Sequence, residues 1–410
     1  MSQSHFLRNA LILGLLTAIG PFAIDMYLPS LPSIGKSLNA DSDRVLLSMT
    51  AFFASFAIGQ LIYGPLSDMF GRKPPLYFGI GLFAAASIGC ALSDNIETLI
   101  VFRLIQGLGG AAGTVIARAI VRDLHSGVEE AKLFSLLMLV FSVSPLLAPM
   151  IGTMIIELAS WRAIFWLVMA LALLGLVMVM VSIRETRHAD QRESSTMRGM
   201  IDATKLLLVD THFMGLTFIA SFALAGFFVF LANSSFILMG HYHLSTTAYS
   251  LAFSGNAAAF FASSQLTGWL GGKFGLHALV RPAMFGYAIA IALLLIATTA
   301  GVENLWLLGA LFFISNAFLG VVLPVTSVLS LAHHGPIAGT AASLGGTLQL
   351  VTGSIVMAAS SRFANGTTKP MVLCIVACGA IAFVLSVFTL RGSKFKADAA
   401  ASAAASASAS

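Results

Sequence analysis

Charged side chains are scarce in this sequence. Lysine, arginine, aspartate and glutamate make up 10% of the 410 residues, against about 25% in soluble domains, while 58% of the residues are hydrophobic. A chain of this composition cannot keep so much apolar surface away from water, so we expect lipid to be its solvent. The net charge of +5 comes from cations in short segments beside apolar runs. That placement favours a role in membrane topology over nucleic-acid binding.

The sequence also lacks the residue patterns of an enzyme or a metalloprotein. It contains no glycine-rich phosphate-binding loop and no Ser/His/Asp arrangement on one predicted helix face. His241 with His243, and His333 with His334, fall in predicted loops without carboxylate neighbours. The three cysteines lie inside apolar segments without metal-ligand spacing. We therefore expect no catalytic residue, no metal and no cofactor, and the chain leaves no room for the soluble output domain of a sensor.

Long apolar runs occupy most of the chain. Twelve can be marked, each long enough, or nearly so, to cross about 30 Å of hydrocarbon as a helix. They cover roughly residues 7–29, 45–67, 75–93, 97–119, 133–157, 162–183, 211–239, 247–270, 278–300, 304–330, 337–362 and 370–390. We predict an all-α membrane protein with twelve transmembrane helices.

A polar stretch divides these runs into two sets of six. Two six-helix repeats around a charged linker are typical of two bundles related by a pseudo-two-fold axis around a central cavity. We predict an N-terminal bundle over residues 1–183, a cytoplasmic linker over 184–210 and a C-terminal bundle over 211–396. The Ala/Ser-rich segment 397–410 is predicted to be disordered.

Lysine and arginine are distributed unequally between the predicted loops. If the N-terminus is cytoplasmic, most of the cations fall on the cytoplasmic side and five remain outside. Those five are Lys36, Arg44, Arg162, Arg362 and Lys369. Because cytoplasmic loops are enriched in these residues, we expect both termini to be cytoplasmic.

A short charged hairpin joins the second and third apolar runs. It places one carboxylate and two cations, Asp68, Arg72 and Lys73, between two runs without charge, so it must lie at the membrane surface. Its spacing resembles the signature loop of the major facilitator superfamily of transporters. The resemblance implies a conformational latch formed with Gly64 and Gly71, glycines that would let two helices approach closely.

Two charges fall inside the predicted membrane helices. Asp25 lies late in the first run and Arg103 early in the fourth, so both belong to the outer part of the bilayer. A bare charge at that depth is costly, and each residue is the other's most obvious partner. Either the pair only stabilises packing, or Asp25 carries a proton whose release Arg103 controls. We favour the second, because apolar surroundings favour a neutral acid and a nearby guanidinium favours the ionised one.

The end of the fourth run supplies further candidates for conformational gating. Arg122 and Asp123 close this run on the same side as the hairpin. We expect one of them to pair with Asp68 or Arg72 and to help close one face of the transporter. The alternative is that they only extend into water at the membrane surface.

The fifth run contains two prolines four residues apart. Pro145 and Pro149 cannot both keep normal helical hydrogen bonds, so this helix must bend. Together with Gly152 they resemble the proline-glycine motif that marks exporters in the superfamily. A packing kink without any bearing on transport direction is the alternative.

Two further segments narrow the resemblance. Ala23-Ile-Asp-Met-Tyr-Leu-Pro-Ser-Leu-Pro32 and Gly59-Gln-Leu-Ile-Tyr-Gly-Pro65 resemble the Bcr/CflA family of bacterial drug:proton antiporters. The resemblance implies efflux of bicyclomycin, amphenicols or sulfonamides across the bacterial inner membrane, driven by the proton gradient. We expect a monomer in the lipid bilayer, with a small-molecule drug and protons as its partners.

Polar and aromatic side chains inside the apolar runs are candidates for substrate contacts. They are Tyr27, Gln60, Tyr63, Gln106, Phe228, Asn233, Phe236, Asn256 and Gln349. Each polar one is equally consistent with a hydrogen bond between helices. Glu303 is the only acid between Asp210 and Asp398, which favours a neutral or zwitterionic aromatic substrate over a polycation.

These observations predict secondary active export by alternating access, in which protons enter and a small amphipathic drug leaves. Proton-coupled uptake or export of a small metabolite on the same fold is the alternative, and only a transport assay separates the two.

Overall fold

The chain is almost entirely helical. The computed structural model describes residues 3–124, 127–187, 197–334, 337–364 and 366–391, and no strand occurs among them. The first helices are α1 Gln3–Asp25, α2 Leu31–Ser37, α3 Ser42–Phe70, α4 Lys73–Ala91, α5 Ile96–Leu124, α6 Gly127–Leu158 and α7 Arg162–Ser182. Those that follow are α8 Met197–Val209, α9 Thr211–Ser235, α10 Thr246–Phe274, α11 Leu276–Thr299, α12 Leu305–Leu331, α13 Ala338–Ser361 and α14 Thr368–Arg391.

The twelve predicted apolar runs lie on the twelve long helices of the described chain, which are all of these except α2 and α8. Within the described residues, ten segments are long and apolar enough to cross a membrane, and Val143–Leu158 is a further apolar stretch of α6. Helix α10 is long but less apolar, because it carries many hydroxyl and amide side chains. The prediction of an all-α membrane protein is confirmed.

The first membrane helix is shorter than the predicted run 7–29. Helix α1 ends at Asp25 and is followed by a 3₁₀ turn, Leu28–Ser30, and then by α2. Pro29 lies in that turn and has no backbone N–H to donate to the carbonyl of Asp25, four residues earlier. The break therefore makes Asp25 the last residue of α1.

Contacts divide the chain into two compact units. The first comprises Met1–Gly199 with Leu244–Leu251, and the second comprises Met200–His243 with Ala252–Ser410. Within the first, the hydroxyl of Ser250 donates to the carbonyl of Pro149 at 3.1 Å. The bundles predicted over 1–183 and 211–396 stay a prediction. Residues 188–196 of the predicted linker and the predicted disordered tail 397–410 lie outside the described residues.

Five helix pairings recur in the two units. In the first unit α1 packs on α5, α6 and α7, while α4 packs on α5 and α7. In the second, α9 packs on α12, α13 and α14, while α11 packs on α12 and α14. In both, the first of six helices touches the fourth, fifth and sixth, and the third touches the fourth and sixth. This agreement is typical of an internal repeat.

One backbone contact recurs in both units. A Cβ atom on Gly107 of α5 would collide with the carbonyl of Phe52 on α3, and one on Gly320 of α12 would collide with the carbonyl of Phe260 on α10. Three residues after each phenylalanine, a serine hydroxyl donates to that same carbonyl. The two units thus share a close helix crossing that only glycine permits.

Helix α5 carries a face of small residues that two neighbouring helices approach. A side chain at Gly109 would meet the backbone of Gly79 and Phe83 on α4, and one at Gly113 would meet the carbonyl of Leu16 on α1. The two glycines therefore let two different helices approach α5 closely.

We expect Gly107→Ala and Gly320→Ala each to lower the free energy of unfolding by about 1–3 kcal/mol, because the added methyl group must push backbones apart. The thermal unfolding midpoint in detergent measures the effect. The matched control is Gly81→Ala on α4, where no atom lies near the added carbon. That variant should be neutral or slightly stabilising, since alanine favours helix. Equal midpoints for all three variants would contradict the steric account.

Candidate functional site

Arg103 is fully buried in the first unit. Its Nη1 donates to the carbonyl of Ala23 at 3.2 Å and to Oε1 of Gln106 at 2.7 Å. Its guanidinium carbon lies 4.4 Å from the ring centre of Tyr27 and 4.3 Å from that of Phe52. Aromatic faces attract a cation, so these two rings stabilise a guanidinium that forms no ion pair with any described residue.

The residues around Arg103 are held by hydrogen bonds of their own. The hydroxyl groups of Tyr27 and Ser48 are 2.7 Å apart. The Gln106 amide donates to the hydroxyl of Ser87 at 2.8 Å. Residues from α3, α4, α5 and the turn after α1 thus converge on one cation. Its Nε and Nη2 atoms are buried and have no hydrogen-bond partner among the described residues.

Asp25 is buried as well, with 5% of its surface exposed. Among the described residues it accepts one hydrogen bond, from the hydroxyl of Ser144 on α6 at 3.2 Å. The expected ion pair with Arg103 is not formed, and that expectation was wrong. Because α1 ends at Asp25, the carboxylate lies beside α6, whereas the guanidinium is engaged by the Ala23 carbonyl and by Gln106.

Helix α6 contacts Asp25 beside two prolines that interrupt the helical hydrogen bonds. Ser144 directly precedes Pro145, and Pro149 follows one turn later, so two backbone N–H groups are missing from the helix. A side chain at Gly152 would collide with the carbonyl of Met26, just beyond Asp25. The proline-containing part of α6 is therefore packed directly against the end of α1.

A second set of charges surrounds Arg72 at the end of α3. Its guanidinium donates to Asp68 at 2.6 Å, to Asp123 at 2.7 and 3.1 Å, and to the hydroxyl of Ser67 at 2.9 Å. We call Asp68, Arg72 and Asp123 the charge cluster. Burial alone would lower the pKa of Arg72, but its hydrogen bonds to Asp123 and Asp68 raise it above its ordinary value. The predicted pairing across the hairpin is confirmed, with Asp123 as the partner.

The segment after α7 reaches the same place. The carboxylate of Glu185 accepts the backbone N–H groups of Arg72 at 2.8 Å and of Lys73 at 3.0 Å. It thereby satisfies the start of α4, where Pro74 and Pro75 follow. The ammonium group of Lys73 donates to the carbonyl of Ile183 at 2.9 Å.

The other predicted gating residues lie near the cluster without joining it. Arg122 is exposed and forms no ion pair within the described part of the chain. Open space surrounds the position that a side chain on Gly64 would take, so the close helix approach expected there is wrong. Gly71 instead ends α3 with φ 91°, a conformation that favours glycine.

The predicted substrate residues of the first unit differ in burial. Tyr27 and Gln106 are buried around Arg103, and Tyr63 is buried with its hydroxyl beside Gly79. Gln60 is half-buried on α3. The structure therefore brings Tyr27 and Gln106 together, and a substrate contact for any of the four stays a prediction.

The predicted substrate residues of the second unit lie on four elements: α9, the π-helical segment Phe236–His241 that follows it, α10 and α13. Phe228 packs against Gly353, while the amide of Asn233 donates to the Val229 carbonyl of its own helix at 2.9 Å. The remaining three, Phe236, Asn256 and Gln349, are half-buried. Their contact with a substrate also stays a prediction.

Sequence reasoning missed Ser144 and Glu185. A serine before a proline inside an apolar helix is common, and only the fold brings it to an acid on another helix. Glu185 carried a signal: it is the first acid after α7, and α4 begins with Lys73 and two prolines that leave its N–H groups without partners.

We expect Arg72→Ala to lower the free energy of unfolding by about 3 kcal/mol, because it leaves two carboxylates without their cation. The matched control is Arg44→Ala. Arg44 also forms a 2.6 Å ion pair, with Glu97, but its side chain is 46% exposed and water replaces the contact. The thermal unfolding midpoint in detergent should fall for Arg72→Ala and stay nearly unchanged for Arg44→Ala. Equal losses would show that the cluster contributes no more than a surface pair.

The sequence matches the Major Facilitator Superfamily over residues 13–359. It is 39% identical to the uncharacterized MFS-type transporter YdgK of Bacillus subtilis, over 93% of both chains. It is 30% identical to the bicyclomycin resistance protein homolog of Haemophilus influenzae, over 94% of this chain and 96% of that protein. The chloramphenicol resistance protein of Pseudomonas aeruginosa is 28% identical, over 96% and 95%.

Solved structures of transporters share the fold. A bacterial homolog of the human lysosomal transporter Spinster superimposes with a TM-score of 0.77, at 15% identity, over 95% of this chain and 98% of that one. These likenesses confirm the resemblance to Bcr/CflA proteins, and this chain belongs to the Major Facilitator Superfamily as a membrane transporter rather than an enzyme.

Proposed function

We propose that this protein is a drug:proton antiporter of the bacterial inner membrane, with both termini in the cytoplasm. It would act as a monomer that exports small amphipathic antibiotics such as bicyclomycin, amphenicols or sulfonamides. The proton gradient drives it, and no cofactor is needed. The names of the bicyclomycin and chloramphenicol resistance relatives support the drug class.

The buried carboxylate of Asp25 is the observation that carries this proposal. It lies in a membrane-spanning segment, is 5% exposed and accepts a single hydrogen bond. An ionised carboxylate has about four acceptor positions, and one donor leaves most of its charge without compensation. Apolar surroundings favour the protonated, neutral form of such a group, whereas water or a nearby cation favours the ionised form. Binding and releasing one proton is therefore a change that this site can make.

Ser144 couples the charge of Asp25 to the shape of α6. Its hydroxyl donates to the carboxylate, and Pro145 and Pro149 have already removed two hydrogen bonds from the same helix. A helix with missing backbone hydrogen bonds bends at low cost. A change in the Asp25–Ser144 contact can thus alter the bend of α6 against the end of α1.

The charge cluster supplies a latch. Arg72 joins the end of α3 to the end of α5, and Glu185 ties the segment after α7 to the start of α4. The ends of α3 and α5, the start of α4 and the segment after α7 are thus held together at one side of the first unit by hydrogen bonds to charged side chains. Hydrogen bonds of charged groups depend steeply on distance and angle. Separating these helix ends by a few ångströms would therefore break all of the bonds at once.

Asp25→Asn should abolish coupled transport, because an amide cannot take up and release a proton. Everted vesicles are energised until their interior is acidic, and chloramphenicol is then added. The wild-type antiporter should release protons in response, whereas vesicles with Asp25→Asn should keep their gradient. The same assay separates export from proton-coupled uptake. An antiporter exchanges drug added outside the vesicles for protons inside, whereas a symporter moves drug and protons in the same direction, so added drug would not release protons.

Asp94→Asn is the matched control, since this side chain is 94% exposed in the turn before α5. It should transport like the wild type. Quantification of the protein in the membrane must show equal amounts of both variants. Full drug resistance in cells producing Asp25→Asn at the wild-type level would refute the coupling role.

Ser144→Ala should shift the pH profile of transport to higher pH by about one unit, because the lost hydrogen bond stabilised the ionised carboxylate. Ser144→Thr keeps a hydroxyl group and should restore the profile. Transport at a series of fixed pH values measures the shift. An unchanged profile in Ser144→Ala would exclude any action of this hydroxyl on Asp25.

A further inference from the structure

Two asparagines from neighbouring helices meet in the second unit. The Nδ2 atom of Asn316 on α12 donates to Oδ1 of Asn256 on α10 at 3.2 Å. Asn256 in turn donates to the carbonyl of Ala252 at 3.0 Å. Asn316 is only 5% exposed, and its Oδ1 atom accepts no hydrogen bond from any described residue. Among the described residues this oxygen is not one of the fully buried polar atoms that lack a partner, so a donor from outside the protein can reach it.

Stacked phenylalanines flank this amide pair. On α10, Phe253 lies three residues before Asn256 and Phe260 lies four residues after it, so all three share one face. Phe230 of α9 stacks on Phe253, with ring centres 6.2 Å apart and an interplanar angle of 4°. Phe227 of α9 stacks on Phe260 at 5.9 Å and 19°. The first pair is buried and the second is half-exposed, so the amides lie where the aromatic stack becomes accessible.

The helices around these residues carry almost no charge. Helices α9, α12 and α13 contain no aspartate, glutamate, lysine or arginine, and α10 contains only Lys273, in its last turn. An ionised group bound here would find no counter-charge on them. Polar side chains in membrane helices face protein or a water-filled cavity rather than lipid. The combination therefore suits an uncharged ligand with a flat ring and a hydrogen-bond donor.

The internal repeat gives this site a counterpart in the first unit. Asn316 lies four residues before Gly320, as Arg103 lies four residues before Gly107, and the two glycines make the same backbone contact. Where the first unit holds its buried cation, the second holds a neutral amide. Equivalent positions therefore carry a charged side chain in the first unit and an uncharged hydrogen-bonding side chain in the second.

We propose that Asn256, Asn316, Phe227 and Phe260 form a subsite for the uncharged aromatic part of the transported compound. The ring extends the Phe227–Phe260 stack, and an N–H or O–H group of the compound donates to Oδ1 of Asn316. This rests on the proposed export function and names the substrate class that the second unit selects.

Equilibrium dialysis of chloramphenicol against the purified full-length protein tests the subsite. This compound is an uncharged nitroaromatic with amide and hydroxyl donors. Asn316→Leu should raise its dissociation constant about tenfold or more, since both the acceptor and the contact to Asn256 are lost. Ser315→Ala is the matched control. Its hydroxyl donates to the Phe312 carbonyl of its own helix, so binding should stay within twofold of the wild type.

Asn316→Ser keeps the test decisive if leucine disturbs folding. Serine removes the amide acceptor, and a buried serine is already accommodated at position 315. Thermal unfolding midpoints must match that of the wild type before binding is compared. Wild-type affinity in a folded Asn316 variant, or no binding by the wild-type protein, overturns the subsite.

Binding by purified protein separates this inference from the proposed function. Asp94→Asn should bind chloramphenicol like the wild type, because its exposed side chain belongs to neither the coupling site nor the subsite. Drug binding that depends on Asn316, without any drug-driven proton release in vesicles, refutes the antiport and supports the subsite. Drug-driven proton release with wild-type affinity in the Asn316 variants refutes only the subsite.

Discussion

A charged side chain in hydrocarbon needs solvation from the protein itself, and Asp25 and Arg103 meet this requirement in different ways. Arginine stays charged at any working pH, so its guanidinium needs partners that stabilise a cation. Arg103 has aromatic faces, a backbone carbonyl and a side-chain amide around it. Asp25 has one hydroxyl donor and can become neutral instead. Of these two residues, the acid can therefore change its charge, and the arginine is a fixed cation.

The position of Asp25 depends on the backbone around it. Pro29 ends α1 early, and Gly152 lets α6 approach the carbonyl of Met26. Ser144 then reaches the carboxylate from the same helix that contains two prolines. The one side-chain donor to this carboxylate among the described residues thus belongs to a helix that lacks two backbone N–H groups, at Pro145 and Pro149.

The two units share helix contacts but differ in the residue that lies one turn before the shared glycine. Both units keep the helix pairing and the glycine contact at Gly107 and Gly320, because a side chain there would separate two helices. The residue one turn earlier differs between the units. It is Arg103 in one unit and Asn316 in the other, so the same scaffold supports a buried cation and a neutral amide.

The sequence by itself determined the class of the protein, since apolar run length and charge scarcity leave few ways to satisfy a backbone in lipid. It also limited the partners of Arg72 to a few charges at neighbouring helix ends, and the fold placed Asp68 and Asp123 there. It did not determine the partner of Asp25. Periodicity gives the depth of a residue along a helix, whereas the choice between Arg103 and Ser144 depends on helix rotation and on the break after α1. Only the tertiary structure decided these, because they arise from packing between helices far apart in the chain.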